Sequence, residues 1–333
     1  MKIYLAGDSI VQNYEKEEFI AGWGQFLPFF IKDGVEVVND AKGGRSSRLF
    51  INEGRFDNIE KNISAGDYLL IEFCHNDDAS KEYKTMFNRL TPLGEPDSDG
   101  RFPIIPGEAM PKDYIPPEYI DALRKDENVK DKQAVLDSVY KILESYPHDT
   151  YYPYSADGSK GTYLWFLKQF VDMAREKGAV PVFVTAPART VYDANGNIKD
   201  GAGLHGGNNF AYIRAMKQLG EEAKVPVIDL FAYSCGLYKQ IGKEKIHWIT
   251  SIKKGCNKGI WPDDFNSEMQ KKETLSEDTH FNKYGAMLIT QGLVKLIKES
   301  DSSQLDGLKG MLKNPDGIDI EKYVKKPLVF EEF

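Results

Sequence analysis

The stretch Lys2–Ile10, "KIYLAGDSI", decides how this chain is read. Its first half is an apolar run of strand length, and Gly7, Asp8 and Ser9 are turn residues. A strand that ends on Gly-Asp-Ser has two readings. The residues can be ordinary turn chemistry, or Ser9 can be a nucleophile held at the tip of a strand. The tripeptide alone does not separate them, because turn composition by itself produces it.

Four further runs resemble the first: "VEVVND" (35–40), "YLLIEFCHND" (68–77), "VPVFVTAP" (180–187) and "VPVIDL" (225–230). Their near-continuous hydrophobicity suits parallel strands covered on both faces. Helical patterns alternate with them. In 163–179, Leu164, Leu167, Phe170, Val171 and Ala174 share one helical face, and Gly178 stands where that helix would stop. In 208–224, Ile213, Met216, Leu219 and Ala223 recur at helical spacing, as do Ala286, Ile289, Leu293, Leu296 and Ile297 in 283–298. Alternating strands and helices predict an α/β fold, a doubly wound sheet of about five parallel strands with right-handed crossovers.

Residues 78–160 break the pattern, being rich in Pro, Asp, Lys and Tyr. The region is too long for a plain loop in a compact domain. It reads as an insertion or cap, with a helix within 128–146 on Val129, Val135, Val139 and Leu143. The expected organisation is one domain over 1–298 carrying that insertion, followed by a polar C-terminal extension over 299–333.

A chain of 333 residues with 41% hydrophobic and 28% charged residues has the composition of a soluble globular protein. Its net charge of −8 argues against a nucleic-acid partner. No apolar run is long enough for a membrane span. Cys74, Cys235 and Cys256 are widely spaced, and show neither a disulfide framework nor a Cys-x-x-Cys metal site. Met1 leads directly into the first strand without a signal peptide's basic and apolar regions, so a cytoplasmic protein is expected; a chain trimmed of a leader reads the same. The sequence leaves the oligomeric state open.

Ligands of open α/β sheets bind beyond the carboxyl ends of the strands, where the winding reverses. Ser9 follows the first strand. "NDAKGGRSS", with Gly43 and Gly44, follows the second, and His75, Asn76 and Asp77 follow the third. Glu277, Asp278 and His280, in "SEDTHFNKYGA", stand between the fifth strand and the last helix. A hydroxyl, glycine amides, a side-chain amide and a carboxylate–imidazole pair are the parts that acyl transfer requires.

This ordered set resembles the SGNH/GDSL hydrolase superfamily, whose blocks centre on Ser, Gly, Asn and His, here Ser9, Gly44, Asn76 and His280. The words "GWGQ" (22–25), "NDAKGGRSSR" (39–48), "FCHND" (73–77), "VTAPAR" (184–189) and "THFNKYGA" (279–286) resemble its rhamnogalacturonan acetylesterase branch. The resemblance covers roughly 1–77 and 160–298, not the insertion. It implies a three-layer α/β/α, flavodoxin-like fold and a serine esterase that needs no cofactor. It implies Ser9 as nucleophile and His280 as base, with an oxyanion hole formed by the Ser9 and Gly44 N–H groups and the Asn76 amide. The family's acid, an Asp three residues before the histidine, is replaced by Glu277, while Asp278 stands two before. Register favours Glu277 over Asp278.

The implied substrate is an acetylated pectin-type oligosaccharide. Other acetylated sugars such as xylan fragments, lipid or thioester acyl groups, and a non-catalytic carbohydrate-binding role are the alternatives. His75 reads as packing beneath the site, Cys74 as a buried thiol, and "HGGNN" (205–209) as a loop entering a helix. Trp23 and Gln25 read equally as pocket lining or as core, and "YYPY" (151–154) as a sugar platform or as an anchor of the insertion. Arg45, Arg48 and Arg189 are candidates to meet a uronate carboxylate.

Overall fold

A computed structural model describes residues 1–15, 20–78, 89–155, 157–199, 210–252 and 276–324, the side chains of Ile252, Ser276 and Glu277 excepted. The strands among them are β1 (Lys2–Gly7), β2 (Glu36–Asn39), β3 (Tyr68–Glu72), β4 (Met110–Pro111), β5 (Thr150–Tyr151), β6 (Val180–Val184), β7 (Val227–Ile228), β8 (Thr250–Ile252) and β9 (Ser276–Phe281). The α-helices are α1 (Trp23–Phe26), α2 (Ser47–Asn52), α3 (Arg55–Asn62), α4 (Pro117–Lys125), α5 (Lys132–Glu144), α6 (Tyr163–Glu176), α7 (Ala211–Ala223), α8 (Leu230–Ile241), α9 (Lys283–Glu299) and α10 (Asp306–Met311).

The central sheet runs β2-β1-β3-β6-β7, and every pairing in it is parallel. Strand β3 is buried along its whole length, and β1 and β6 along all but their first residues. That is the pattern of strands covered on both faces. One helical layer groups α2, α3, α6 and α7; the other groups α1, α8, α9 and α10. The doubly wound five-stranded sheet expected from the alternating pattern, and the three layers implied by the resemblance, are observed. No helix among the described residues is long and apolar enough to cross a membrane.

The sequence ranges overshoot the strands at their carboxyl ends, for local reasons. In 225–230 only Val227 and Ile228 pair. Pro226 has no N–H to give, and Asp229 leaves the strand to cap α8, accepting from the Ala232 N–H at 3.1 Å. In 68–77 the strand ends at Glu72, and the Asp77 and Asp78 N–H groups turn back onto the Cys74 carbonyl at 3.0 and 3.1 Å. The word "HND", which holds candidate site residues, therefore lies in a turn.

The helices fall close to their predicted ranges. On α6, Leu164, Leu167, Phe170, Val171 and Ala174 are all fully buried. The helix predicted within 128–146 is α5, opened by Asp131 accepting from the Ala134 N–H at 2.9 Å. Only Val139 and Leu143 of its expected face are fully buried. They belong to a second apolar cluster with Ile115, Tyr119, Tyr146 and Tyr151, which rests on Leu49 of α2. The C-terminal segment carries Leu305, Leu308, Met311, Leu312 and Ile320 into the sheet's own core. Its backbone is tied to 30–32 by Lys32 N–H to the Met311 carbonyl (2.9 Å) and Lys313 N–H to the Phe30 carbonyl (2.8 Å).

Candidate active site

The sheet order reverses between β1 and β3, so the crevice outside their carboxyl ends is where a ligand is expected. The turn after β1 is shaped by Asp8. Its carbonyl accepts the Val11 and Gln12 N–H groups at 3.3 and 3.1 Å, and its Oδ1 accepts the Ile10 N–H at 2.9 Å. This Asx turn holds Ser9 at its tip.

The Gly43–Gly44 loop after β2 is laid against that turn. The Asp40 and Lys42 N–H groups bind the Leu5 and Gly7 carbonyls at 3.1 Å each, and the Gly43 N–H donates to Gln12 Oε1. Gly44 has φ +81°, a left-handed conformation that glycine adopts without a steric cost. A Cβ built on Gly43 would lie 3.4 Å from the Ser9 Cβ, so the loop passes directly beside the serine.

Asn76, in the turn after β3, donates from Nδ2 to Asp8 Oδ2 at 2.9 Å. One amide hydrogen is thereby fixed and the plane of the amide is set. Asp8 is fully buried, and burial pushes its carboxyl up to about 6 against the opposing pull of the Ile10 N–H, His280 and Asn76. The next residue, Asp77, accepts from the Ser47 N–H (3.0 Å) and hydroxyl (2.5 Å), and so ties the β3 turn to the first residue of α2. Burial pushes Asp77 up to about 7.

His280 arrives from outside the central sheet, on the two-stranded ribbon β8–β9. Its strand is held by an Ala21 N–H to Phe281 carbonyl bond of 2.9 Å. It passes into α9 through Asn282, which accepts the Gly285 N–H at 2.9 Å and donates to the Trp248 and Thr250 carbonyls at 2.6 and 3.2 Å. Gly285 is required by close approach, since a Cβ there would stand 2.0 Å from the Ile249 carbonyl oxygen. The result is a hydrogen bond of 2.7 Å between His280 Nε2 and Ser9 Oγ, across 271 residues of chain. The candidate nucleophile and the candidate base are within proton-transfer distance.

Of the two candidate acids, the Glu277 side chain lies outside the described residues. Asp278 is described and half exposed. Its Oδ1 accepts the Thr279 hydroxyl at 2.9 Å and lies 3.9 Å from Arg189 Nη1.

The remaining candidates sort by burial. Ring Nε2 of buried His75 meets the Pro187 carbonyl at 3.1 Å, a packing role beneath the site. Cys74 is a buried thiol whose pKa is raised by desolvation. Trp23 is fully buried core, and Gln25 braces the 12–14 loop by bonding both the N–H and the carbonyl of Tyr14. Arg45 is engaged by Glu53 at 2.8 Å. Arg48 is 1% exposed and is no substrate ligand. It donates to the Leu90 carbonyl (3.0 and 3.2 Å) and the Tyr152 carbonyl (3.0 Å), clamping both ends of the insertion onto α2. Tyr151 is buried in the insertion's cluster, the anchoring alternative. The "HGGNN" word and Cys256 lie outside the described residues. Sequence reading passed over Asp8 and Asp77 as positioning groups. The signal was present, since each carboxylate adjoins a candidate catalytic residue, but their partners are distant in sequence.

A serine–histidine pair beside an asparagine amide and a left-handed glycine, at the switch point of a five-stranded parallel sheet, defines a serine hydrolase of the SGNH type. Rhamnogalacturonan acetylesterase RhgT of Bacillus subtilis (strain 168) is 30% identical to the chain over 300 residues, covering 90% of each protein. With this likeness over nearly its whole length, the chain belongs to the rhamnogalacturonan acetylesterase family. The probable rhamnogalacturonan acetylesterase YesY of the same organism is 30% identical over 298 residues, 89% of this chain and 92% of that one. Among solved structures, the crystal structure of protein YxiM from Bacillus subtilis shares the fold at a TM-score of 0.53 and 20% identity. That likeness covers 91% of this chain and 57% of the other. No family model matches the chain.

Proposed function

We propose that this protein removes O-acetyl groups from rhamnogalacturonan-type oligosaccharides through an acetyl-serine intermediate. The 2.7 Å contact between His280 Nε2 and Ser9 Oγ carries the reading. Ser9 Oγ attacks the acetyl carbonyl carbon while its proton passes to His280. The negative charge that forms on the carbonyl oxygen is received by the Ser9 and Gly44 N–H groups and the second Asn76 amide hydrogen. Collapse breaks the bond to the sugar oxygen, which leaves with the proton from His280. Water, deprotonated by the same imidazole, then releases acetate and regenerates the serine.

Glu277 serves as the acid that orients His280. The engagement of Asp278 by the Thr279 hydroxyl, with Arg189 at 3.9 Å, supports that choice. The substrate assignment draws on relatives of nearly equal length named rhamnogalacturonan acetylesterases.

The test is acetate release from acetylated rhamnogalacturonan and xylan fragments by the wild type and by Ser9→Ala. Release that prefers the pectic fragment and disappears in the variant is expected. Preference for the xylan fragment would move the assignment to another acetylated sugar. Equal release by both proteins would remove Ser9 from the mechanism.

A further inference from the structure

Sequence reading looked for a carboxylate-binding arginine at positions 45, 48 and 189. The guanidinium that lies against the oxyanion loop belongs to a fourth, Arg89. A Cβ built on Gly44 would stand 3.0 Å from Arg89 Nη2, 3.3 Å from its Cζ and 3.6 Å from its Nε. All three measured atoms of the fork thus lie along the open side of Gly44, a position only a residue without a side chain leaves available. Gly43, the neighbour of Gly44, is itself in contact range of Ser9. The Arg89 guanidinium therefore borders the glycine that follows the one beside Ser9.

The backbone that presents Arg89 is held. Its carbonyl accepts the Thr91 hydroxyl at 3.2 Å. The Thr91 N–H returns to the Asp77 carbonyl at 3.0 Å, and the Thr91 carbonyl accepts the Tyr212 hydroxyl. Between them the Leu90 carbonyl is gripped by buried Arg48. The anchor of this segment is thus the turn that carries Asn76, so the guanidinium and the oxyanion amide share one frame. Across the site, Arg189 donates to the Thr279 hydroxyl at 2.9 Å and faces Asp278 beside His280.

We propose that Arg89 is a specificity-determining residue that binds the carboxylate of a uronic acid in the acetylated oligosaccharide. The proposal rests on the pectic reading of the function. A guanidinium fork pairs with a planar carboxylate through two parallel N–H···O bonds, a geometry a neutral hydroxyl cannot reproduce. Gly44, having no side chain, leaves room for the fork beside the loop.

The experiment is a cycle in enzyme and substrate. kcat and KM are measured for the wild type, Arg89→Gln and Arg89→Lys. The substrates are an acetylated uronate-containing oligosaccharide and the same oligosaccharide with its carboxyls reduced to alcohols. Arg89→Gln is expected to raise KM for the native substrate about tenfold or more with kcat changed less than about threefold, the loss of one charge-assisted pair. Carboxyl reduction is expected to do the same to the wild type, and the two losses are expected not to add. Arg89→Lys, which keeps the charge but not the fork, should fall between. Equal losses on both substrates would overturn the proposal and assign Arg89 to the oxyanion or to loop structure.

A separate readout covers the case in which the wild type deacetylates neither oligosaccharide and the pectic reading fails. Inhibition of aryl acetate hydrolysis by an unacetylated uronate oligosaccharide is compared between wild type and Arg89→Gln. Inhibition about tenfold weaker in the variant supports carboxylate binding at Arg89, and equal inhibition overturns it.

Discussion

Asn76 and Asp8 stand at the carboxyl ends of neighbouring strands, 68 residues apart, and share a buried hydrogen bond from Nδ2 to Oδ2 of 2.9 Å. This bond joins the turn that presents the nucleophile to the amide assigned to the oxyanion. The same Asp8 carboxylate accepts the Ile10 N–H that closes the serine turn. One side chain thereby sets the relative position of two groups that must act on the same carbonyl.

Removing the Asn76 amide is expected to lower kcat by about 10²–10³, the usual cost of one oxyanion donor. Asp8→Ala leaves that amide in place but unaimed, and kcat is expected to fall by about tenfold to a hundredfold. In the double variant the two losses should not add. Steady-state kinetics on a soluble acetyl ester checks this; additive losses would mean that the two side chains act independently.

Glu277→Gln is expected to reduce kcat by about 10² or more, because an unoriented imidazole is a poor base. Asp278→Asn should cost less than about tenfold, since its carboxylate already serves Thr279 and lies near Arg189. The reverse ranking in pre-steady-state acetylation rates would transfer the orienting role to Asp278.

Arg48→Met is expected to destabilise the fold by about 3 kcal/mol, as hydrogen bonds from a buried charge are lost: the Leu90 carbonyl loses both guanidinium donors, while the Tyr152 carbonyl keeps the Asn52 amide. Urea unfolding measures it. A loss under about 0.5 kcal/mol would show that the insertion is held by its apolar cluster alone.

Beneath the site, Glu72 is fully buried and neither of its carboxyl oxygens has a hydrogen-bond partner among the described residues. Burial, reinforced by the charges of Asp8 and Asp77, raises its pKa well above the ordinary value. Asp8 and Asp77 are raised to about 6 and about 7, chiefly by burial. All three hold their protons more tightly folded than unfolded. Their contribution to stability is full below the unfolded carboxylate range, about pH 4, and is lost as pH rises through the folded values. Glu72→Gln keeps the shape without the ionisation. It should match the wild type near pH 4 and exceed it in stability at pH 8. Equal stability at pH 8 would mean that Glu72 ionises in place.

Gly44→Ala places a Cβ on a left-handed backbone and against Arg89. A stability loss of about 1–2 kcal/mol is expected from the conformation alone. Displacement of the loop should lower kcat/KM by about 10², more than the stability change accounts for. Thermal denaturation and kinetics on the same preparation separate the two effects.

Much of this was legible along the chain because it is local. Continuous apolar runs marked the strands of the central sheet, and helical spacing on 163–179 named the face that α6 buries. The words around Ser9, Gly44, Asn76 and His280 named the chemistry, since each is a short motif whose residues adjoin one another. The strand ends were less legible. Pro226 and the Asp229 cap shorten β7 through hydrogen bonds that periodicity does not register. What only the tertiary structure decided are relationships across long stretches of sequence. The 2.7 Å approach of His280 to Ser9 depends on a ribbon outside the sheet, and Asp8 finds Asn76 only because β1 and β3 are neighbours. Three arginines looked alike in sequence, yet burial made Arg48 a clamp, and Arg89, unremarked in its Pro- and Lys-rich surroundings, came to rest on Gly44. A residue's type records the interactions it can make, whereas burial and the partner across the fold determine which of them it makes.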